Sequence, residues 1–405
     1  MSSIFTPKKP LPLFEFIALL AALSSMVAFS IDSILPGLPE IASEMVPDNV
    51  NRAQLVITAF VVGAGLGQLF FGPLSDAFGR RVSMGAGFAL YMIAAAAAIT
   101  AQSLEALLFW RFVQGLGAAG PRTSAMALTR DLYEGRLMAR VTSIAFSFFV
   151  LVPAIAPMFG QWVILSFGWR HMFTTYIIVA MLILAWFWLR QPETLPTEKR
   201  RALRFKPVIE GFGMVLSNRV TLLYMTVITF AFGQLMAYLS SAQQIFVDVL
   251  GTGTSFPYYF ALVTILSAGA GFLNSVLVVR VGMRRLAMAG FAAQTVLAGT
   301  TLIVWTLLSP EGAFALWLFV AWSITLFFLN GLSFGNLNAL AIQPLGHVAG
   351  TAAAVIGALP TMLAVLIAGP VGLAFNGTPL PLLVGVTICS GLSFILIQID
   401  RHNPN

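Results

Sequence analysis

Long apolar runs separated by short polar connections fill the sequence from end to end. Each run is close to the roughly 20 residues that an α-helix needs to cross the hydrocarbon core of a bilayer. Patterns in which polar and apolar residues alternate over about ten positions, as in barrel strands, are absent from the sequence. Because backbone groups in lipid must be paired within their own segment, the runs are predicted to be helices. The hydropathy criterion finds about twelve, at positions 12–35, 53–73, 82–102, 104–127, 138–166, 169–190, 220–245, 255–280, 284–308, 313–337, 349–375 and 379–399.

Composition and cysteine usage narrow the function classes. Of the 405 residues, 59% are hydrophobic and 9% are charged, and the mean hydropathy is +0.91, whereas soluble domains carry about 25% charged residues. The single cysteine, Cys389, excludes a disulfide within one chain. Metal-ligand spacings, phosphate-binding loops and nucleophile motifs are absent from the sequence. We therefore expect no enzyme, no cofactor and no metal.

Positive charge is distributed unevenly among the connections. If Met1 lies in the cytoplasm, all but four of the 22 Lys and Arg residues fall on the cytoplasmic side. Arg52 and Arg170 fall outside, and Arg111 and Arg122 fall inside spans. An excess of Lys and Arg in cytoplasmic connections sets the orientation of membrane proteins. The net charge of +7 thus indicates orientation and not a nucleic acid partner. We expect a multi-pass monomer in the inner (cytoplasmic) membrane with both termini cytoplasmic.

The chain divides into two halves that echo each other. Residues 191–218 are rich in Pro and basic residues and form the only long cytoplasmic connection. Gly79-Arg80-Arg81 returns as Gly282-Met283-Arg284-Arg285, and Ala156–Gly160 is echoed by Gly369–Gly372. Chance recurrence in a glycine-rich chain is the alternative, but two echoes at a similar offset favour a repeat. The prediction is a six-helix bundle over 1–190, a linker over 191–218 and a second six-helix bundle over 219–405.

The basic cluster of the linker has two interpretations. It could bind a partner or anionic lipid head groups, and it could equally be a solvated loop that follows the charge rule for cytoplasmic connections. We favour the solvated loop. The charged stretch Gly72–Arg81, between the second and third spans, is expected to be a tight turn at the same membrane face.

Two charges inside spans point to chemistry, because a charge at the bilayer centre costs about 2.5–3.5 kcal/mol even on insertion scales. Asp32 lies toward the outer end of the first span, and Arg111 lies about 10 Å inside the fourth. A carboxylate that is screened from water can take up and release a proton, as a proton-coupled carrier requires. We expect Asp32 and Arg111 to form an acid–base pair or a water-bridged contact. The alternatives are a solvated acid at a span end and an arginine that snorkels to the outer head groups.

Arg122 shares a helix face with Arg111, because eleven residues bring an α-helix back to nearly the same direction. Gly115, Ala118 and Ala119 lie between the two arginines on that face. Such a stripe can line a cavity or allow another helix to pack closely. Arg122 is accordingly either a cavity residue for substrate, together with Gln114, or an anchor at the cytoplasmic end of the span.

Neutral polar residues mark the second half, where comparable charges inside spans are absent from the sequence. Gln234, Tyr238 and Ser241 share one face of the seventh span, and Asn330 and Ser333 share one face of the tenth. Groups of this kind suit substrate contacts in an apolar pocket. Hydrogen bonding between helices explains them nearly as well.

Several motifs resemble a known family. The spacing Gly-x-Leu-x-Asp-x-x-Gly-Arg-Arg at Gly72–Arg81 resembles the loop after the second span of the major facilitator superfamily. Together with Asp32–Pro39, Arg111–Ala119 and Pro153–Gly160, it resembles the twelve-span drug:proton antiporters, in particular the bicyclomycin/chloramphenicol-resistance (Bcr/CflA) group. The resemblance implies an all-α major facilitator fold of 12 transmembrane helices in two pseudo-symmetric bundles. It implies that Asp32 is the protonatable acid and Arg111 its electropositive neighbour. Gating residues would be Gly72, Asp76, Gly79, Arg80, Arg81, Pro153, Pro157 and Gly160.

The sequence specifies the direction of transport and the cargo less closely than it specifies the family. Antiporters of the superfamily carry Gly-Pro-x-x-Gly-Gly in the fifth span, where this chain has Ala156-Pro157-Met158-Phe159-Gly160-Gln161. We expect a proton-driven exporter of small amphiphilic compounds, with a single acid favouring neutral, zwitterionic or anionic cargo. The alternative within transport is a symporter or facilitator for an organic anion held by Arg111 and Arg122. A membrane sensor or enzyme on the same fold is the alternative outside transport.

Overall fold

The protein is described here by a computed structural model that covers residues 11–200, 202–203 and 206–400. Over these residues the chain forms α-helices joined by short turns, without strands. In chain order the α-helices are α1 (Leu13–Asp32), α2 (Leu38–Met45), α3 (Leu55–Phe78), α4 (Arg80–Ile99), α5 (Leu104–Leu132), α6 (Gly135–Phe167), α7 (Arg170–Arg190), α8 (Lys206–Ser217), α9 (Arg219–Gln244), α10 (Phe256–Ser267), α11 (Gly269–Val281), α12 (Met283–Leu308), α13 (Gly312–Ile342), α14 (Ala349–Leu363), α15 (Val365–Leu373) and α16 (Leu380–Ile399). Short 3₁₀ segments cover Leu35–Gly37, Pro47–Gln54, Thr197–Lys199, Gly253–Ser255 and Gln343–Val348, and a π-helix covers Ile245–Val249.

Each predicted span is occupied by one long helix or by two consecutive helices. The eighth span is divided into α10 and α11, and the eleventh into α14 and α15. Among the described residues, 10 helical segments are long and apolar enough to cross a membrane. α5, which carries several charges, and α6 occupy the two other predicted spans. The all-helical, twelve-span fold predicted from hydropathy is confirmed.

The chain separates into two compact units, each with its own packing. The first unit runs up to Ile41 and then from Ala59 to Lys206, and the second contains Ala42–Thr58 and everything from Pro207 onward. In the first unit α5 packs against α4 and α1, and α6 packs against α1. In the second unit α9 packs against α13, α15 and α16. The assignment of Ala42–Thr58 to the second unit is unexpected, because this segment follows α2 and precedes most of α3 in the sequence.

The predicted linker contains a helix. α8 occupies most of the second half of the linker. Its Gly211 lies against Thr351 of α14, and its Val215 is buried in the same apolar core as residues of α9. Asn218 then caps α9, because its side chain accepts a hydrogen bond from the backbone N–H of Thr221 at 3.0 Å. Part of the basic cluster of the linker, Arg201 and Arg204, lies outside the described residues.

The charged stretch Gly72–Arg81 is mostly helical, which corrects the expectation of a tight turn. α3 continues through Pro73 to Phe78, and α4 begins at Arg80, so Gly79 alone separates them. Gly79 has a φ of 97° and a ψ of 162°, a conformation that is essentially restricted to glycine. The charges do not require an irregular loop, because the helix ends place them beside partners of opposite charge.

Candidate functional site

A fully buried arginine lies at the centre of the first unit. The side chain of Arg111 on α5 has 0% of its surface exposed. Its guanidinium donates from Nη1 to Gln114 Oε1 at 2.8 Å and from Nη2 to the backbone carbonyl of Ser30 at 3.0 Å. The same group stands 4.4 Å from the centre of the Phe60 ring, a cation–π contact. Snorkelling to the head groups is therefore excluded for Arg111, and Gln114 serves to orient it.

Hydroxyl groups from three helices are linked by hydrogen bonds around Ser30. The Ser30 and Tyr91 hydroxyls lie 2.7 Å apart, and the Tyr176 hydroxyl donates to the Ser30 carbonyl at 3.2 Å. The hydroxyls of Ser33 and Tyr176 are paired at 3.0 Å. All four residues are buried. This hydroxyl cluster, Ser30, Ser33, Tyr91 and Tyr176, connects α1 to α4 and α7 at the depth of Arg111.

Asp32, the last residue of α1, is 3% exposed, so it is not a solvated acid at a helix end. Within the described residues its carboxylate makes no hydrogen bond or ion pair. No ion pair joins Asp32 to Arg111 among the described residues, and the guanidinium binds the Ser30 carbonyl two residues earlier. The water-bridged contact, which was the other expectation, stays a prediction. Burying a carboxylate without a partner is very costly, and a bound proton removes that cost. The arrangement can therefore hold a proton at Asp32, two residues from the carbonyl that binds the Arg111 guanidinium.

Gly160 of α6 brings a second helix against the end of α1. A Cβ added to Gly160 would overlap the carbonyl oxygen of Ser33, so only glycine permits this approach. Pro153 and Pro157 lie inside the same helix, and Pro157 is buried. The expected gating role of these three residues stays a prediction. The geometry places one of them next to Asp32.

The stripe of small residues on α5 is a helix-packing surface. A Cβ on Gly115 would overlap the carbonyl oxygen of Phe60 on α3, and Ala118 and Ala119 are buried. Of the two interpretations of the stripe, close packing is the one that the contacts support. Arg122 differs from its neighbours, since its side chain is exposed.

Arg122 is not at the end of its helix. α5 continues for ten more residues to Leu132, about 15 Å at the helical rise per residue. Its guanidinium makes no hydrogen bond or ion pair with any residue that the structure describes. An exposed cation without a partner among the described residues is available to a ligand, and its assignment to substrate stays a prediction.

The polar residues of the second unit are divided between helix contacts and an aromatic cluster. Gln234 on α9 donates to Asn330 on α13 at 3.3 Å and accepts from Ser390 on α16 at 2.8 Å. Ser333 donates to the carbonyl of Leu329 on its own helix at 2.8 Å. These bonds match the interhelical alternative for Gln234 and Asn330. Their predicted role in substrate binding, like that of Ser333, is untested.

Tyr238 is wholly buried in aromatic rings. Phe260, Phe319, Trp322 and Phe327 surround it, with ring centroids 5.1–6.4 Å away. The hydroxyl of Tyr238 has no hydrogen-bond partner in the described part of the chain. Ser241, one turn further along α9, is also buried. The side chains of this face belong to a packed core in the structure, and their contact with substrate remains a prediction.

A network of charges joins the α3–α4 junction to α5. Arg80 donates from Nε and Nη2 to the two carboxylate oxygens of Asp131, at 2.9 and 3.3 Å. Its Nη1 donates to Asp76 at 2.6 Å and to Ser75 at 3.0 Å. Asp76 is about half exposed, and Arg80 is its partner among the described residues. Gly72 lies nearby with open space around its Cα.

The N-terminus of α4 is capped by Glu193, a residue that the sequence analysis did not single out. Glu193, in the connection after α7, accepts from the backbone N–H groups of Arg80 and Arg81, both at 3.0 Å. A carboxylate at this position also complements the positive end of the α4 dipole. Thr194 donates to Asp131 at 2.7 Å and extends the network. The inner charge network therefore comprises Asp76, Arg80, Asp131, Glu193 and Thr194.

Comparison with known proteins identifies the family. Residues 17–369 match the model of the Major Facilitator Superfamily. The chain belongs to the major facilitator superfamily. A bicyclomycin resistance protein homolog of Haemophilus influenzae is 30% identical over 385 residues, which cover 94% of this chain and 95% of that protein. The multidrug resistance protein MdtL of Shigella dysenteriae is 28% identical over 390 residues, 93% of each chain.

The fold of this superfamily member is also found in a solved sugar transporter. The xylose transporter XylE from E. coli, in a partially occluded inward-open conformation, superposes with a TM-score of 0.73. The match covers 96% of this chain and 100% of XylE at 13% sequence identity. At that identity the likeness shows the fold and not the cargo. The resemblance to drug-resistance transporters inferred from the motifs is thus supported by the curated relatives.

Proposed function

We propose that the protein is a secondary transporter that exports small amphiphilic compounds, drugs among them, in exchange for protons. It would work as a monomer in the inner membrane, with both termini cytoplasmic, by alternating access. The similarity to a bicyclomycin resistance homolog and to MdtL over nearly the whole chain supports the class of cargo. The carrying observation for the coupling is the buried Asp32 carboxylate, two residues from the Ser30 carbonyl that binds the Arg111 guanidinium.

The coupling follows from electrostatics. Without a proton, the Asp32 carboxylate is a charge in a medium of low dielectric constant with no partner among the described residues. The Ser30 carbonyl and Gln114 hold the guanidinium of Arg111 in place. A ligand that competes with the proton for this region would therefore favour proton release. Each event would shift the population of conformations by its differential affinity for them.

The test is a proton-release assay in everted membrane vesicles that carry a pH gradient and a pH-sensitive dye. Addition of an exported drug should dissipate part of the gradient, and Asp32→Asn should abolish that response because the amide cannot bind and release the proton. Asp248→Asn is the matched control, since Asp248 is an exposed acid in the π-helix that follows α9. No response to any of a broad drug panel in the native protein would contradict the proposal. An unchanged response in Asp32→Asn would remove this residue from the coupling.

A second candidate, carriage of a small organic anion by symport or facilitation, is favoured by one observation. Arg122 exposes its guanidinium within a span and has no partner of opposite charge among the described residues. An anionic cargo would supply that charge. Under this alternative Arg122→Ala should abolish uptake of anionic compounds while leaving export of neutral drugs intact. Intact transport of anions in Arg122→Ala would reject it.

A further inference from the structure

Amide side chains tie the segment Ala42–Thr58 to two helices of the second unit. Asn51 donates from Nδ2 to the backbone carbonyls of Leu373 at 3.2 Å and Phe375 at 2.8 Å. Gln244, the last residue of α9, donates to Asn51 Oδ1 at 3.1 Å. Gln54 donates to Gln244 Oε1. We call Asn51, Gln54 and Gln244, with the carbonyls of Leu373 and Phe375, the amide clasp.

The clasp depends on a glycine. A Cβ added to Gly372 on α15 would overlap Oε1 of Gln54, and Ser240 of α9 borders the same point. Gln54 is 3% exposed, so its amide fills the space that a side chain at 372 would need. In the sequence Gly372 stands out only as part of an echo of Ala156–Gly160. Its contact with Gln54 shows why this position requires a glycine.

Two buried polar atoms at the clasp lack hydrogen bonds. Oε1 of Gln54 and the hydroxyl of Ser240, which borders Gly372, have no partner in the described residues, and each atom is shielded from water. A buried polar atom without a partner is costly, and hydration removes the cost. Hydration of these two atoms would offset part of the cost of opening the clasp.

The backbone at the clasp is also unusual. The π-helix Ile245–Val249 begins directly after Gln244. Single π turns inside helices occur frequently at functional sites, because the extra residue changes the direction of the side chains that follow. The hydroxyl of Thr252 donates to the carbonyl of Phe246 at 2.8 Å and closes this turn. The end of α9 is thus shaped around the position of Gln244.

We propose that the amide clasp is the outer gate of transport, and that Asn51, Gln54 and Gln244 hold it closed while Gly372 admits Gln54. The proposal rests on the proposed function, since the orientation places these helix ends on the outer face. The segment Ala42–Thr58 is continuous in the chain with α1 and α3 of the first unit. Release of the clasp would free that segment and expose the transport path to the outside in each cycle.

The first test uses cysteine labelling and does not depend on transport. Cys389 is the single cysteine of the chain, so Cys389→Ser gives a clean background. In that background Ser240→Cys, which is 2% exposed, should react slowly with a membrane-impermeant maleimide added to intact cells. Adding Gln54→Ala or Gly372→Ala should raise the labelling rate by about fivefold or more, the population change expected from losing one net hydrogen bond. An unchanged rate in both variants would overturn the proposal.

A matched control separates gating from general loosening. Ser393→Cys places the label at another buried serine of the second unit, on α16. Its labelling should stay slow when Gly372→Ala is added. Equal acceleration at Ser393→Cys and Ser240→Cys would mean that the substitution unfolds the unit, which would also overturn the proposal.

The second test locks the clasp. Gln54→Cys combined with Gln244→Cys in the Cys389→Ser background should be joined by a short bis-methanethiosulfonate reagent. Joining should abolish drug-driven proton release, and a reductant should restore it. Release that persists with the pair joined would contradict the gate. If vesicles show no drug response at all while labelling still responds to Gly372→Ala, the proposed export function fails and the clasp stands.

Discussion

The junctions α3–α4 and α11–α12 are two copies of one local structure. Gly79 and Gly282 both interrupt a helix with positive φ, 97° and 87°, and both begin the next helix. Two residues later Arg81 donates to the carbonyls of Trp188 and Gln191 at the end of α7, at 2.9 and 3.0 Å. Arg284 donates to the carbonyls of Ile397 and Gln398 at the end of α16, at 3.0 and 3.5 Å. The glycine and the arginine at this position are the duplicated scaffold.

Two residues of the inner charge network, Arg80 and Asp76, are replaced at the second junction. Arg80 corresponds to Met283 and Asp76 to Val279, whose side chain is 85% exposed. The first unit thus adds an arginine that reaches Asp131 on α5 and a helix start held by Glu193. The glycine and the arginine present at both junctions hold helix ends together. The Arg80–Asp131 contact, found at the first junction, connects that junction to α5, the helix that carries Arg111. We therefore expect substitutions at the first junction to affect transport more than substitutions at the second.

Removal of the unique arginine should have the largest effect. Arg80→Met gives the first junction the residue of the second, leaves Asp76 without its partner and leaves Asp131 with the Thr194 hydroxyl but no cation. We expect the free energy of unfolding to fall by about 1.5–3 kcal/mol, the range for hydrogen bonds to charged groups, and drug-driven proton release to be largely lost. Unfolding in denaturant and the vesicle assay measure the two effects.

Met283→Leu is the control for Arg80→Met at the equivalent position. It should change stability by no more than about 0.5 kcal/mol and leave proton release intact. If the two substitutions proved equally harmful, the asymmetry between the junctions would have no functional meaning.

Most of the fold could be predicted from the sequence. The twelve spans follow from hydropathy, because lipid forces the backbone into helices wherever the side chains are apolar. The prediction of an irregular turn at Gly72–Arg81 is wrong, because charged residues at this position do not indicate a loop. In the structure, pairing between Asp76 and Arg80, four residues apart, lets α3 continue to Phe78.

The candidate site could be predicted in part. Arg111 and Asp32 stand out because ionisable residues inside spans are rare, but their depth in the membrane does not determine which atoms they bind. Tyr91 and Tyr176 were missed, although a tyrosine in a chain with 34 Phe and 7 Tyr is a signal that a hydroxyl is needed. Glu193 was missed because its partners lie 113 and 112 residues away, and no local pattern marks such a contact.

Loss of the helix cap should have a smaller effect than loss of Arg80. Glu193→Gln keeps the shape of the side chain and removes the charge that faces the N-terminus of α4. We expect a loss of about 0.5–2 kcal/mol, the range for helix caps, with proton release reduced but present. Glu198→Gln, in the same connection and at an exposed position, is the control and should behave as the native protein. A loss in the control as large as in Glu193→Gln would show that charge in the connection matters and the cap does not.

The smallest effects are expected for the arginine contacts that both units share. Arg81→Ala and Arg284→Ala each remove a cation from the carbonyl end of a helix, which is worth about 0.3–1 kcal/mol. Since both arginines make the same kind of contact within separate units, the two losses should be similar and should add in the double variant. Unfolding midpoints of the two single variants and the double variant measure this. If Arg81→Ala alone abolished proton release while Arg284→Ala did not, Arg81 would belong with Arg80 in the unique network, and the duplicated scaffold would reduce to the glycines.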